Sequence, residues 1–283
     1  MKIQTIGISS CLGGPERLCG YAAEMLRDEY ARAGYSDFQL QWHFIHPDNN
    51  GVDGQQLIRL NQAHSRYSSI CLKTQQPFLV IGGDHSCALG TWSGVLNALE
   101  PPHKLGLIWL DAHLDAHTFL TSPSGNIHGM PVAALLGHAD KKLASYYPSD
   151  ISIEAKNLKM IGVRSYEEEE YQLLNQHDVS IIFSTQIGNL TQLLLTTVNQ
   201  LSQTCQSIGI SIDLDVVDPS DAPGVETPVK GGIRAEELIN ALSNIRKNRK
   251  ICALEISEFS PENDINNKTL LLIKRLVDAF YQT

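Results

Sequence analysis

Residues 105–115 read LGLIWLDAHLD, an apolar run that leads directly into Asp111, His113 and Asp115. A short continuous apolar run is typical of a fully buried strand, so we predict a strand over Leu105–Leu110. Ionisable side chains at the end of such a strand are costly unless a counter-charge compensates them. Carboxylates and imidazoles are ligands of divalent metals, and the i, i+2, i+4 spacing places all three side chains on one face of an extended chain. A metal site is therefore the first hypothesis, and a solvent-facing strand end with incidental charges is the alternative.

The composition is that of an ordinary globular protein. The chain has 283 residues, of which 42% are hydrophobic and 19% charged, and its formal net charge is -9. This length predicts one large α/β domain or two small ones. The acidic balance, without any basic block, argues against nucleic acid or an anionic membrane as a partner and is compatible with a small cationic substrate. No segment approaches the roughly 18 apolar residues that span a membrane.

The cysteines and the N-terminal segment indicate a cytoplasmic protein. The six cysteines are Cys11, Cys19, Cys71, Cys87, Cys205 and Cys252. None belongs to a C-x-x-C pair and the chain is long, so we expect reduced, buried thiols instead of a disulfide framework. The first residues, MKIQTIGISSCLGG, are interrupted by polar side chains, which predicts a first strand and not a signal peptide.

Segments with strand and helix patterns alternate along the chain. Strands are predicted over Ile3–Ile8, Phe38–Ile45, Pro77–Gly82, Leu105–Leu110, Leu158–Val163, Ser180–Phe183, Ile208–Ile212 and Ile251–Ile256. Helices are predicted over Glu16–Ala33, Gly54–Lys73, Ala88–Leu99, His128–Leu136, Glu167–Gln176, Ile187–Ser202, Arg234–Arg246 and Lys268–Tyr281. The alternation predicts an α/β three-layer sandwich with a mostly parallel eight-stranded sheet and helices on both faces. Because no repeat or linker marks a boundary, we expect a single domain over residues 1–283.

Two further polar clusters follow predicted strands, where ligands bind in sheets of this kind. Residues 82–86 read GGDHS and residues 211–219 read SIDLDVVDP. A tight turn whose histidine caps a helix would also explain GGDHS. An Asx-type turn would explain Asp218 and Pro219 but not two more carboxylates. With the first cluster, the chain offers four carboxylates and two imidazoles: His85, Asp111, His113, Asp115, Asp213 and Asp215. This oxygen-rich set exceeds one closed zinc site and suits a pair of manganese or magnesium ions.

GGDHS, DAHLD and SIDLDVVDP, in this order and each after a strand, resemble the motifs of the ureohydrolase family, which includes arginase, agmatinase and other binuclear manganese enzymes. The resemblance covers nearly the whole chain and implies an arginase-like fold. It implies that one ion is held by His85, Asp111, Asp115 and Asp213. It implies that the other is held by His113, Asp111, Asp213 and Asp215, so that Asp111 and Asp213 bridge. Two Mn²⁺ ions per subunit are expected, although Co²⁺ and Fe²⁺ tolerate the same ligands.

The loop after DAHLD resembles that of arginase more closely than that of agmatinase, above all in SGNIHGMP, residues 124–131. The resemblance makes His128 a proton shuttle to the leaving amine, whereas without it a backbone-satisfied histidine at a helix start is preferred. It makes Ser122, Ser124 and Asn126 readers of a substrate α-carboxylate. His117 departs from the pattern, because arginases commonly have there an asparagine that contacts this carboxylate. An imidazole can still donate a hydrogen bond to the substrate from that position, although its reach differs.

Three further positions match residues that recognise the substrate in this family. Glu167, in RSYEEEE, stands where an aspartate commonly binds the α-amino group, and a helix N-terminal charge is the alternative. Thr227, in DAPGVETPVKGG, would line the guanidinium pocket. Glu258, in ALEISEFSP, would bind the guanidinium through charge-assisted hydrogen bonds, and it must be distinguished from Glu255 nearby.

The resemblance implies a hydrolase that cleaves the guanidinium group of L-arginine to L-ornithine and urea. A metal-bridging hydroxide would attack, Asp115 would accept its hydrogen bond, and His128 and Glu258 would complete the catalytic set. Agmatinase, formimidoylglutamase or another guanidino-acid hydrolase is the alternative within the family. A metal-bound sensor that has lost catalysis is the alternative from another class. A trimer or hexamer is expected from the family alone.

Overall fold

The apolar runs of the sequence form eight parallel strands in a computed structural model of the chain, which describes residues 1–15, 19–34, 38–48 and 53–282. Within these residues the strands are β1 (Lys2–Ile8), β2 (Gln39–Ile45), β3 (Phe78–Ile81), β4 (Leu105–Leu110), β5 (Leu158–Val163), β6 (Ser180–Phe183), β7 (Ser207–Asp213) and β8 (Ile251–Ser257). All seven strand pairings are parallel. The predicted α/β fold with an eight-stranded sheet is confirmed.

The sheet order brings together strands that are distant in the chain. The order is β2-β1-β3-β8-β7-β4-β5-β6. The four central neighbours β3, β8, β7 and β4 therefore carry, at their carboxyl ends, GGDHS, Glu258, SIDLD and DAHLD respectively. The carboxyl edge of a parallel sheet is where ligands bind in such folds.

Helices cover both faces of the sheet. Within the described residues they are α1 (Ala22–Ala33), α2 (Asp53–Leu72), α3 (Ala88–Ala98), α4 (Pro131–Leu135), α5 (Lys141–Ala144), α6 (Glu168–Gln176), α7 (Leu190–Thr204), α8 (Ala235–Ile245) and α9 (Lys268–Tyr281). Helices α1, α7, α8 and α9 contribute to one hydrophobic core, and α2 to α6 contribute to the other. The two cores lie on opposite faces, because alternate residues of β4 belong to different cores: Leu107 and Trp109 to one, Ile108 and Leu110 to the other.

The predicted helix over His128–Leu136 is shorter and starts later than expected. A 3-10 turn covers Ile127–Gly129, and α4 begins only at Pro131. Proline is favoured at the first position of a helix because its missing N–H would have no partner there. The short helix α5 was not predicted. The first three residues of the predicted helix Glu16–Ala33 lie outside the described residues.

The expectation that all six cysteines are reduced is wrong for one pair. Cys11 and Cys19 form a disulfide, because the chain turns between β1 and α1 and brings their Cα atoms within 5.8 Å. This separation lies within the range that a disulfide requires, and a spacing of eight residues gives no sign of it. The other four cysteines are free and buried, as expected. Among the described residues, no helix combines the length and hydrophobicity needed to cross a membrane.

Candidate active site

Four acidic or imidazole side chains from three strand ends meet in a first group of candidate metal ligands. His85 follows β3, Asp111 and Asp115 follow β4, and Asp213 ends β7. The Nδ1 atom of His85 lies 3.3, 3.1 and 3.2 Å from carboxylate oxygens of Asp111, Asp115 and Asp213. All four residues are buried. One nitrogen and three carboxylates converging on one point form a suitable site for a divalent ion.

A second group lies beside the first and shares Asp111 with it. His113 Nδ1 lies 2.9 Å from Asp215 Oδ2 and 3.6 Å from Asp111 Oδ1. Asp111 thus presents one oxygen to each group, which is the arrangement of a bridging carboxylate. Asp213 was also expected to bridge, but its Oδ1 accepts a hydrogen bond of 2.8 Å from the backbone N–H of Asp215. Bridging by Asp213 therefore stays a prediction.

The buried carboxylates repel one another strongly. Burial, followed by the charges of Asp215 and Asp111, raises the pKa of Asp213 well above its ordinary value. Burial and the charge of Asp111 raise the pKa of Asp115 to about 7. Without further positive charge, this cluster cannot be fully ionised at neutral pH.

The residues fit divalent ions. His85 Nδ1 is fully buried, faces three carboxylates and has no hydrogen-bond partner among the described residues. Its Nε2 is within 2.9 Å of the Ser211 hydroxyl, so the ring is held with Nδ1 towards the carboxylates. A cation between these groups would give Nδ1 a partner and relieve the repulsion between carboxylates. The described residues thus contain two adjoining groups able to hold a pair of metal ions.

His128 and Glu258 form an ion pair beside the metal groups. His128 Nδ1 is 3.1 Å from Glu258 Oε1, which also accepts a 2.6 Å hydrogen bond from the backbone N–H of His85. Burial acts to lower the pKa of His128, but the charge of Glu258 outweighs it and raises the pKa to about 10. The other oxygen of Glu258, Oε2, is buried without a hydrogen-bond partner among the described residues. Glu258 therefore has an unused acceptor at the site.

A cleft of about 270 Å³ joins these groups to the predicted substrate residues. Its lining includes His113, Asp115, His117, Ser122, Ser124, Asn126, His128, Glu167, Glu170, Asp213, Thr227 and Glu258. Glu255 is not among the lining residues and is fully buried in β8. The structure thus distinguishes the two glutamates and places Glu258 at the cleft.

His117 contacts acidic side chains within this cleft. Its Nε2 lies 3.2 Å from Glu167 Oε2 and 3.5 Å from Glu170 Oε2, and its Nδ1 lies 3.1 Å from Thr121 Oγ1. Both ring nitrogens therefore already have partners on the protein. His117 lines the cleft, but its present contacts are with Glu167, which is predicted to bind an α-amino group, and with Glu170.

The remaining predicted substrate residues lie around the cleft with different partners. Ser122 Oγ accepts a hydrogen bond of 2.9 Å from the backbone N–H of Gly125. Ser124 Oγ accepts one of 3.2 Å from the backbone N–H of Asn126. Ser124 is exposed at the loop and Ser122 is half-buried. Thr227 donates to Asp215 Oδ2 at 3.0 Å, which connects it to the second metal group.

Comparison with known proteins assigns the chain to a family. The Arginase family model matches residues 6–281. The arginase of Bacillus caldovelox is 38% identical over 205 residues, which cover 72% of this chain and 68% of the relative. The chain belongs to the arginase family. It is accordingly a hydrolase of the ureohydrolase type.

Solved structures of an arginase and of a formimidoylglutamase share the fold. Arginase from Bacillus subtilis superposes with a TM-score of 0.87 at 30% identity, covering 100% of this chain and 99% of that one. Formimidoylglutamase from the same species gives a TM-score of 0.80 at 20% identity, covering 99% and 85%. The second likeness concerns the fold alone.

Sequence reasoning missed Glu170 as a residue of the cleft. Glu170 is buried, and its two oxygens accept the backbone N–H groups of Ala116 at 2.9 Å and Glu167 at 3.2 Å. Burial raises its pKa to about 8. The second contact completes a capping box at the start of α6. Glutamate three residues after a helix N-cap is a recognisable signal that could have identified Glu170.

Glu226 is a second residue that the sequence analysis did not single out. Glu226, His128 and Glu258 each offer a polar atom to a cluster whose members lie within 4.8 Å of one another. Glu226 follows Gly224 and Val225 in a loop without periodic structure. No local spacing links it to His128, because 98 residues separate the two in the chain.

Proposed function

We propose that the chain hydrolyses L-arginine to L-ornithine and urea, with two manganese ions at the two groups of ligands. The observation that carries the proposal is their position: the groups share Asp111 and adjoin a cleft that also holds His128 and Glu258. The oxygen-rich ligands favour manganese over zinc, and cobalt or iron are accepted by the same set. When bound, such ions would lower the pKa of a water molecule and supply a nucleophile at neutral pH.

Glu258 would bind and orient the guanidinium group. Its Oε2 is buried and unused, and a carboxylate forms charge-assisted hydrogen bonds with a planar guanidinium. Its backbone conformation has a φ of 65°, which is unfavourable for glutamate. A 2.7 Å hydrogen bond from its N–H to the carbonyl of Gly83 holds it there. The contact fixes the carboxylate beside the metal groups.

His128 would deliver the proton that the reaction requires. Hydrolysis joins the oxygen of water to the guanidinium carbon and breaks its bond to the side-chain nitrogen, which must gain a proton to leave as an amine. His128 is held protonated near neutral pH, because Glu258 raises its pKa to about 10. Engagement of Glu258 by a guanidinium would weaken this effect and bring the imidazolium closer to releasing its proton.

The outer part of the cleft would recognise the α-amino and α-carboxylate groups. Glu167 supplies negative charge for the amino group, and Ser122, Ser124 and Asn126 supply polar groups for the carboxylate. Because His117 already pairs with Glu167, we assign it to the amino-binding side of the cleft. His117 would therefore not contact the substrate carboxylate directly, unlike the asparagine that arginases commonly have at this position.

The test is a measurement of urea release by manganese-loaded protein with L-arginine, agmatine and other guanidino acids. We expect L-arginine to be the best substrate. Agmatine should react poorly, because it lacks the carboxylate that the serine loop would bind. Preference for another guanidino acid would reassign the substrate, and release of formamide from formimidoylglutamate would favour that alternative. No product from any substrate, with two manganese ions bound, would exclude the enzyme proposal and favour a metal-bound sensor.

A matched pair of variants connects the activity to the site. Glu258→Gln keeps the shape but removes the charge, and should lower kcat/KM by about 10- to 100-fold, the value of a charge-assisted contact. Glu169→Gln makes the same change at an exposed position of α6 and should leave kcat/KM within about twofold. Equal rates for the two variants would remove Glu258 from the mechanism.

A further inference from the structure

A buried polar network lies beneath the first metal group, on the side away from the cleft. Its centre is Glu255, which is 0% exposed in β8. Glu255 Oε1 accepts hydrogen bonds from Ser211 Oγ at 2.7 Å and from Trp92 Nε1 at 3.0 Å, and Oε2 accepts one from Thr91 Oγ1. Ser211 also contacts His85 Nε2, at 2.9 Å. A continuous path of hydrogen bonds therefore runs from the buried carboxylate to a metal-facing imidazole.

When His85 binds a metal through Nδ1, the hydrogen bonds along this path can be donated in only one direction, from His85 to Ser211 and from Ser211 to Glu255. Binding requires a lone pair on Nδ1, so the ring proton must be on Nε2. That proton is donated to Ser211 Oγ. The Ser211 hydroxyl has only one hydrogen, which must then be donated to Glu255. An ionised Glu255 offers only acceptors and is suited to receive it, as it receives the indole N–H of Trp92.

We propose that Ser211 and Glu255 are positioning residues that fix His85 in the metal-binding tautomer and thereby set the affinity of one of the two ions. Neither residue lines the cleft or touches substrate, so they act through His85. A metal-bound imidazole whose other nitrogen donates to a fixed acceptor is held in orientation and is a stronger ligand. The inference rests on the metal centre proposed above and adds residues from the layer beneath it.

The second imidazole provides an internal contrast. The side chain of His113 is 26% exposed, and its contacts with Asp111 and Asp215 are both through Nδ1. Among the described residues, its Nε2 has no corresponding buried serine and carboxylate. Loss of the Glu255 network should therefore weaken the binding of one ion and leave the affinity for the other almost unchanged.

Two matched variants distinguish an effect on the orientation of His85 from a general effect of removing a hydrogen bond to Glu255. Ser211→Ala and Thr91→Val each remove one hydroxyl that donates to Glu255, but only Ser211 also contacts His85. Mn²⁺ affinity is measured for the whole chain by calorimetric titration and chelator competition, and metal-free unfolding is measured in parallel. We expect Ser211→Ala to weaken one of two manganese sites by about 10- to 100-fold. Thr91→Val should change neither site by more than about threefold.

Glu255→Gln tests the other end of the path. A glutamine can turn its NH₂ group towards Ser211 and reverse the hydrogen bond, so the same site should weaken by a similar factor. Unchanged affinity of both sites in folded Ser211→Ala and Glu255→Gln would overturn the proposal. An equal loss in Thr91→Val would also overturn it, because the effect would then be general. A wild-type protein that binds no manganese would instead reject the metal centre itself, and the positioning role with it.

Discussion

His128 and Glu258 illustrate how a contact between two residues creates a chemical property that neither has alone. An imidazole ordinarily titrates near 6.5, but the pKa of His128 is raised to about 10 by Glu258, against the effect of burial. The folded state therefore holds a proton that the unfolded state releases between these two pH values. The contribution to stability is complete below about pH 6.5 and is lost as the pH rises through about 10.

This linkage predicts a pH-dependent stability difference between the wild type and His128→Asn. In metal-free protein, the free energy of unfolding of the wild type should exceed that of the variant most at about pH 6 and progressively less up to about pH 10. Urea denaturation in the presence of a chelator at several pH values measures the difference, in which the titration of other groups largely cancels. A difference that stays constant or grows with pH would contradict the pairing of His128 with Glu258.

At the scale of elements, the loop after β3 has almost no space for change. A Cβ atom on Gly83 would lie 1.8 Å from the backbone carbonyl oxygen of Ser10, whereas one on Gly188 would have no atom within 4 Å. The carbonyl of Gly83 also accepts the N–H of Glu258. The glycine thus lets β1, β3 and β8 end close together, which brings His85 next to Glu258.

We therefore predict that Gly83→Ala destabilises the protein by about 3 kcal/mol and weakens manganese binding, because the backbone must move to relieve the overlap. Gly188→Ala is the matched control and should change the free energy of unfolding by less than about 0.5 kcal/mol. Thermal unfolding and manganese titration of both variants measure the two effects. A Gly83→Ala variant with the stability and manganese affinity of the wild type would show that the loop has more freedom than the structure indicates.

The strands could be predicted closely from sequence, because most are buried apolar runs with local signals at their ends, and only β2 and β6 are mainly half-buried. Predicted Ser180–Phe183 and Leu158–Val163 match the structure without change, and β3 is shorter than Pro77–Gly82 by one residue at each end. Contacts between loops could not be predicted in the same way. The bond between His128 and Glu258 joins residues 130 positions apart, and no local pattern encodes it.

At the scale of the whole molecule, the sheet order assembles the site. Alternating strands and helices predict a parallel sheet but not which strands are neighbours. The order places β8 and β7 between β3 and β4, so the ligands after β3, β4 and β7 converge although they span residues 85–215. The resemblance to a known family supplied the ligand set from sequence. The network of Glu255 and Ser211 beneath it depends on packing between β7, β8 and α3 and became visible only in three dimensions.

This assembly concentrates negative charge that opposes folding when no cation is present. Burial and the charges of Asp215 and Asp111 raise the pKa of Asp213 well above its ordinary value. A raised carboxyl pKa means that ionisation is more costly in the folded state, so Asp213 lowers stability as the pH rises above its ordinary titration range. Bound manganese should reverse this effect, adding about 2.7 kcal/mol per site at 100 times the dissociation constant.

We accordingly predict opposite effects of Asp213→Asn with and without metal. In chelator at about pH 8, the variant should unfold at a higher temperature than the wild type, because it removes one buried negative charge. With manganese, the wild type should gain several degrees and the variant little, because a ligand is missing. Asp150→Asn removes an exposed charge and should follow the wild type in both conditions. A variant that is less stable than the wild type in chelator yet gains equally from manganese would show that Asp213 neither strains the metal-free fold nor binds the ion.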